Sequence, residues 1–237
     1  MKIKIYLSPS NQPNNKYCIG NTNEKEQMED LAKRIKSMLD SEYECETVMA
    51  TLSLGIGMEG RAREAKNKGC DVYLAIHSNA GNGKSTGAVA FYNPGSVSSR
   101  ILATNIVKEL GAICPIKSNR GISVASGLEQ FNGKGYGEVR NPGGLGLIAV
   151  LAETDFHDNP HTAKWIISSK DAIGRAYVNA IVSTFNIARK KETATVDGGK
   201  EEKLYKVQVG AFSNESNAQA MLKKLKVAGF EGYVKHE

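Results

Sequence analysis

The amino-acid sequence predicts an α/β fold: a mainly parallel twisted sheet with helices on both faces, followed by a small C-terminal βαβ unit. Three observations carry that prediction. Strand-like and helix-like segments alternate through residues 1–187, the order that builds parallel sheets. Two segments, 71–77 and 147–153, are near-continuous apolar runs, the mark of strands covered on both faces. From 190 to 203 the pattern collapses into charged, polar and Gly-containing residues without apolar periodicity, which reads as a linker.

Taken in order, the first strand is expected at 3–7, where Lys and apolar residues alternate. A helix follows at 24–39, because Met28, Leu31, Ile35, Met38 and Leu39 recur at helical spacing. Asn23 with Glu26 three residues on forms an N-cap with a capping-box-like partner. Further strands are expected at 43–49, 72–76, 87–92 and 146–152, and amphipathic helices at 60–68, 96–110 and 161–189. Residues 111–144 are rich in Gly and Asn and read as a long irregular insertion, of the kind that is usually functional or mobile. Beyond the linker, 204–209 alternates as a half-buried strand, 213–228 carries Ala218, Met221, Leu222 and Leu225 on one helical face, and 232–235 is a short second strand. The expected organisation is therefore a domain over 1–187, a linker over 188–202 and a small unit over 203–237.

Composition narrows the class. No apolar stretch is long enough to span a bilayer, and the N-terminal Met1-Lys-Ile-Lys-Ile-Tyr-Leu7 alternates like a strand rather than a signal peptide. The expectation is a protein made in the cytoplasm that needs some other route of release. Cys18, Cys45, Cys70 and Cys114 are scattered without a Cys-x-x-Cys pair, which excludes a disulfide framework and a cysteine metal site and leaves free thiols. A net charge of +6 suits an anionic partner, such as nucleic acid or a bacterial cell wall, or a basic surface without a specific partner.

The two buried runs end in chemistry. Asp71-Val-Tyr-Leu-Ala-Ile-His77 delivers an imidazole, and Leu147-Ile-Ala-Val-Leu-Ala-Glu153 a carboxylate. In open α/β sheets ligands bind outside the carboxyl ends of the strands, so the pair suggests metal-assisted hydrolysis. His77 is read either as a metal ligand or as a strand-end histidine satisfied by backbone, with Asn79 placed to orient the following loop. Glu153 is either a buried ion-pair partner or a general base poised by desolvation. Glu24 either answers the helix dipole in its first turn or binds metal. His157 and His161 have the spacing of a helical zinc pair, but Pro160 between them fits a helix start and puts His157 in a loop. His236 lies at a chain end and is given no role. Gly133-Lys-Gly-Tyr-Gly137 lacks the following Lys-Ser/Thr of a phosphate loop.

Val72–Ala80 and Ala149–Pro160, read as sequence blocks, resemble two signatures of the zinc-dependent N-acetylmuramoyl-L-alanine amidases. Arg61-x-x-x-Ala65 through Asp71 is similar to the helix and turn that precede the histidine block, and Glu24 with Leu31-Ala32 to the family's glutamate at the opening of the first helix. The resemblance implies Zn2+ held by His77 and Glu24, Glu153 as catalytic acid/base, and Arg61 and Asn79 as substrate-binding residues. Its implied reaction cuts the bond between N-acetylmuramic acid and the L-alanine of the stem peptide. One departure stands out. The family usually carries Asp-Pro-Gly-His after the first strand, whereas here the chain reads Ser8-Pro-Ser-Asn-Gln12 with no histidine before position 77. An amide oxygen of Gln12 (or Asn11) is the expected replacement, a weaker ligand than imidazole, so the site would hold its metal weakly or use a different one.

The block from Tyr205 to Ala218 resembles a sporulation-related repeat that binds peptidoglycan glycan strands. Only one strand-helix unit of the usual two is present, so two chains are expected to pair through it or it binds weakly. The leading expectation is a cell-wall amidase, an endolysin released by a holin or an autolysin released by mother-cell lysis. The alternative is a wall-binding protein that keeps the fold but has lost a ligand. Nucleic acid is disfavoured because the C-terminal unit lacks paired stacking aromatics on adjacent strands.

Overall fold

The computed structural model describes residues 2–52, 55–190, 209–230 and 232–234. Its contacts divide the chain into two compact units, Met1–Lys191 and Glu192–Glu237.

The first unit is built on a six-stranded sheet of order β2-β1-β3-β6-β4-β5. The strands are β1 (Lys4–Pro9), β2 (Glu46–Met49), β3 (Val72–Asn79), β4 (Val89–Tyr92), β5 (Val124–Ser126) and β6 (Ile148–Phe156). All neighbouring pairs are parallel except β4 with β6. β3 and β6 lie side by side at the centre, as their continuous apolar runs require, since a central strand covered on both faces has no polar side to show.

One face is covered by α1 (Glu24–Glu42), α3 (Val97–Ile113), α5 (Pro160–Ser168) and α6 (Lys170–Phe185), which bury a large apolar cluster including Leu31, Ile35, Leu74, Ile106, Val150 and Ile181. The other face is covered by the short helices α2 (Met58–Asn67) and α4 (Gly137–Gly144) over a smaller cluster around Tyr6, Tyr73, Ala75, Ala149 and Leu151. Because strand side chains alternate, Tyr73, Ala75 and His77 share this second face with Ala149, Leu151 and Glu153.

The cap at Asn23 forms as expected, its side chain accepting from the Glu26 amide. The expected single helix over 161–189 is instead two. Ser169 (φ −122°, ψ 26°) leaves the helical region between α5 and α6, and the Ser168-Ser169 pair is suited to a break because serine hydroxyls compete with helical backbone bonds. The expected irregular insertion over 111–144 is also corrected: it holds the end of α3, the three-residue β5 and all of α4. A strand that short shows no alternation. α4 carries three glycines and Pro142 in eight residues, so its helicity comes from burying Glu138 and Val139 rather than from propensity.

In the second unit the described element is α7 (Glu215–Val227), capped by the Asn214 side chain on the Ser216 amide. Gly229 (φ +86°) closes it in the left-handed conformation that a glycine adopts without a Cβ penalty. The strand expected at 204–209 lies outside the described residues except for its last, and of that at 232–235 positions 232–234 are described, without regular strand structure. Among the described residues no helix is long and apolar enough to cross a membrane.

Candidate active site

The sheet leaves β1 in both directions, to β2 on one side and β3 on the other, and this reversal of strand order opens a crevice at the carboxyl ends where ligands bind. His77 ends the apolar part of β3, and its register partner on β6 is Glu153. The two side chains therefore leave the same face of the sheet on adjacent strands. Glu24 joins them from the first turn of α1, where the Glu24 amide is tied to the Asn15 carbonyl. One ligand atom from each of Glu24, His77 and Glu153 lies within 4.8 Å of the others.

The ring nitrogens of His77 face different partners. Nδ1 is 3.0 Å from Glu24 Oε1 and 3.4 Å from the Gln12 side-chain amide. Nε2 is buried with no hydrogen-bond partner among the described residues. Glu153 Oε2 is likewise buried and unpartnered. Acidic and imidazole groups this close, with polar atoms left orphaned, are expensive unless something pairs with them. A divalent cation does so with this donor set, since nitrogen and oxygen ligands about 2.0–2.1 Å from one tetrahedral ion stand roughly 3.3 Å apart. The 3.0 Å from Nδ1 to Glu24 Oε1 is close to that spacing; the Gln12 atom nearest Nδ1 is the amide nitrogen, so its oxygen reaches an ion there once the amide turns over.

Electrostatics agree with the geometry. Burial opposes a charge on His77, but the neighbouring carboxylates of Glu138, Glu24 and Glu153 outweigh it and push its pKa up to about 10. Burial lifts the Glu153 carboxyl to about 7, partly offset by the His77 cation. Glu24 is held below the usual carboxylate range: burial opposes this, but His77, Asn15 and Ser10 prevail. Two carboxylates in one site thus have different protonation behaviour, the pattern that separates an acid/base from a ligand.

Gln12 sits exposed at the mouth of the crevice. Its Oε1 accepts from Asn15 Nδ2 at 3.0 Å, and the same Asn15 amide donates to Glu24 Oε2 at 2.7 Å. Asn15, which carried no sequence signal, thus joins the two expected ligands. Asn79 is partly exposed; its Oδ1 accepts the Ala80 amide and its carbonyl accepts the His157 amide, which shapes the loop after His77.

Arg61 requires a correction. It was expected to touch substrate, yet it is 5% exposed, with both terminal guanidinium nitrogens engaged inside the protein. Its guanidinium donates to Glu138 Oε1 at 2.6 Å, to Ser8 Oγ at 2.8 Å and to the Pro9 carbonyl. Glu138 is the residue beside the site that sequence reasoning missed. It is buried beside the site, accepts from Tyr73 Oη at 2.5 Å, and stands 3.8 Å from His77 Nε2. His157 does not pair with His161. Its Nδ1 lies 3.0 Å from Ser78 Oγ and its ring stacks on Tyr17, while His161 is exposed beyond Pro160. His236 is outside the described residues. All four cysteines are free.

With this geometry in place, comparison with known proteins is informative. A family described as N-acetylmuramoyl-L-alanine amidase matches residues 7–183, and one described as SPOR domain matches residues 197–237. Among curated relatives, the N-acetylmuramoyl-L-alanine amidase CwlM of Bacillus licheniformis is 26% identical over 98% of this chain and 84% of its own. A sporulation-specific N-acetylmuramoyl-L-alanine amidase of Bacillus subtilis is 23% identical over the same shares. Of solved structures, an N-acetylmuramoyl-L-alanine amidase from Clostridium difficile aligns with TM-score 0.65 at 19% identity, covering 78% of this chain and 97% of its own. The catalytic domain of CwlV from Bacillus (Paenibacillus) polymyxa aligns at 0.63 with 16% identity, covering 79% and 100%. These structures share the α/β fold.

Proposed function

The chain belongs to the N-acetylmuramoyl-L-alanine amidase family, a family of peptidoglycan hydrolases, and from that premise we propose that it cuts the amide between N-acetylmuramic acid and L-alanine as a zinc metallohydrolase. The observation that carries this reading is the convergence of buried Glu24 and His77 with half-buried Glu153, whose Oε2 has no partner among the described residues. Glu24, His77 and the amide oxygen of Gln12 would hold the ion. A bound divalent cation supplies Lewis acidity to the scissile carbonyl and acidifies water.

The chain's own residues do the proton work. Glu153, lifted to about 7, is near the value at which one carboxyl both accepts and returns a proton at neutral pH. Its unpartnered Oε2 takes the proton from the water that attacks the lactyl carbonyl. When the carbon–nitrogen bond breaks, the same oxygen returns that proton to the departing amine of L-alanine. Asn79, at the rim, is the residue proposed to meet substrate; Arg61 acts from beneath.

Metal analysis of the purified chain is expected to give near one zinc, with lysis of wall material in a gel lost in Glu153→Ala and in His77→Ala. Absence of metal together with undiminished lysis by His77→Ala would refute the reading. The exposed amide of Gln12 in place of an imidazole favours one alternative, a wall-binding protein with little or no activity. Its signature would be binding without lysis in the wild type itself.

The SPOR-domain match supports attachment to peptidoglycan. We further propose that two chains pair through this short unit, to be checked by light scattering on the intact chain and on residues 1–190; a monomer in both rejects it. Release by a holin or by mother-cell lysis is the proposed route to the wall, and loss of wall access when neither occurs is its test.

A further inference from the structure

Glu138 has no part in the proton chemistry, and its setting is unusual for a residue of a weak helix. A charged carboxylate is almost never buried unless paired, and this one is over-provided. Arg61 donates to Oε1 and Tyr73 to Oε2. Both donors are anchored in turn on Ser8 Oγ, at 2.8 Å from Arg61 and 3.0 Å from Tyr73. The remaining direction of Glu138 points toward His77, whose Nε2 is 3.8 Å from Oε1 and has no hydrogen-bond partner among the described residues. On the opposite side of the ring, Nδ1 meets Glu24 and Gln12.

A histidine ligand binds metal through one nitrogen, and which one is set by the hydrogen bond that the other makes. Hydrogen bonds of this kind are often long in a ligand-free site and tighten when it is filled; here the ring needs a shift of about 1 Å to reach a normal length. We propose that Glu138, held by Arg61 and Tyr73, is the positioning residue that accepts the Nε2 proton of His77 and so presents Nδ1 to the metal. This inference rests on the zinc reading above. It gives α4, a helix of low intrinsic propensity, a reason to be docked against the sheet: it carries the carboxylate that orients the ring. It also accounts for a buried Arg61, whose charge keeps Glu138 an acceptor.

The test is zinc titration of the metal-free full chain against a chelating indicator, for wild type, Glu138→Gln and Tyr73→Phe, with thermal unfolding of each metal-free protein alongside. Loss of such a partner typically weakens metal binding about 10–100-fold. Glu138→Gln is expected in that range, and Tyr73→Phe, which removes one support of the carboxylate and no charge, a few-fold. Where Glu138→Gln does not fold, 15N-histidine NMR of the zinc-loaded wild type reads the same point. A His77 with its proton on Nε2 and metal at Nδ1 supports the proposal, and metal at Nε2 overturns it. A folded Glu138→Gln that binds zinc as wild type does also overturns it, since a purely structural Glu138 would change melting alone. A wild type that takes up no zinc defeats the metal reading and this inference with it, an outcome distinct from the other two.

Discussion

The two faces of the sheet are built on different principles. Under α1, α3, α5 and α6 the packing is apolar and continuous, with Leu31, Ile35, Leu74 and Ile106 fully buried. Under α2 and α4 the cluster is smaller and laced with buried polar groups: Tyr6 on Glu64, Tyr73 and Arg61 on Glu138, then His77 and Glu153 at the strand ends. Burial of apolar area supplies the dominant favourable term in folding, whereas buried charges cost desolvation that only good pairing offsets. The difference teaches that the first face carries stability and lets the second hold groups that are there for chemistry.

Four changes probe that division, from the largest expected effect downward. Glu153→Gln should reduce wall hydrolysis by roughly 10²–10⁴-fold, the usual weight of an acid/base, while raising the melting temperature of the metal-free protein at pH 8. The sign follows from its raised pKa of about 7: the folded state holds this proton more tightly than the unfolded chain. Stability from this group is therefore lost as pH rises from the ordinary carboxyl value to about 7, and the amide removes that loss. An unchanged rate would break the comparison at its centre.

Arg61→Met strands Glu138 in a buried setting and should cost about 3–5 kcal/mol in denaturant unfolding, the range for breaking a buried pair from one side. Ile35→Ala, on the apolar face, should cost about 2–5 kcal/mol. It should leave zinc affinity of the folded protein unchanged, because Ile35 lies about three turns along α1 from Glu24, the residue of that helix at the site. Weakened zinc binding in Ile35→Ala would show that the faces are not separable.

The smallest effect belongs to Glu64. Burial opposes its ionisation, but Lys68, Thr51 and Tyr6 hydrogen-bond the carboxylate and hold its pKa down to about 2. A depressed acid pKa contributes stability above the unfolded value and loses it as pH falls toward about 2. Glu64→Gln should therefore cost roughly 1–3 kcal/mol at neutral pH and flatten the acid limb of the stability curve below about pH 4.5. An unchanged acid limb would assign that limb to other carboxylates.

Much of this plan was legible in the residues. The runs ending at His77 and Glu153 announced two central strands, and their alternation placed both side chains on one face. Asn23 and Glu26 marked the start of the helix that delivers Glu24. What stayed hidden depends on tertiary contact. Arg61 lies on a short, polar helix where sequence cannot tell a buried guanidinium from an exposed one, and its partner Glu138 is 77 residues away. Glu138 itself sits among glycines that read as loop, because α4 is held by what it buries. Asn15 looks like any loop asparagine until the chain brings it between Gln12 and Glu24. The break at Ser169 fell within an apolar periodicity that runs on through both helices.

The central claim is a metal site with a single imidazole, an amide standing where the family usually has a second histidine. X-ray absorption at the zinc edge of the intact, metal-loaded chain tests it most directly. The account predicts one zinc per chain whose shell holds one histidine nitrogen and otherwise oxygen. A shell with two imidazoles or with sulfur, or a chain that takes up no zinc, would contradict it.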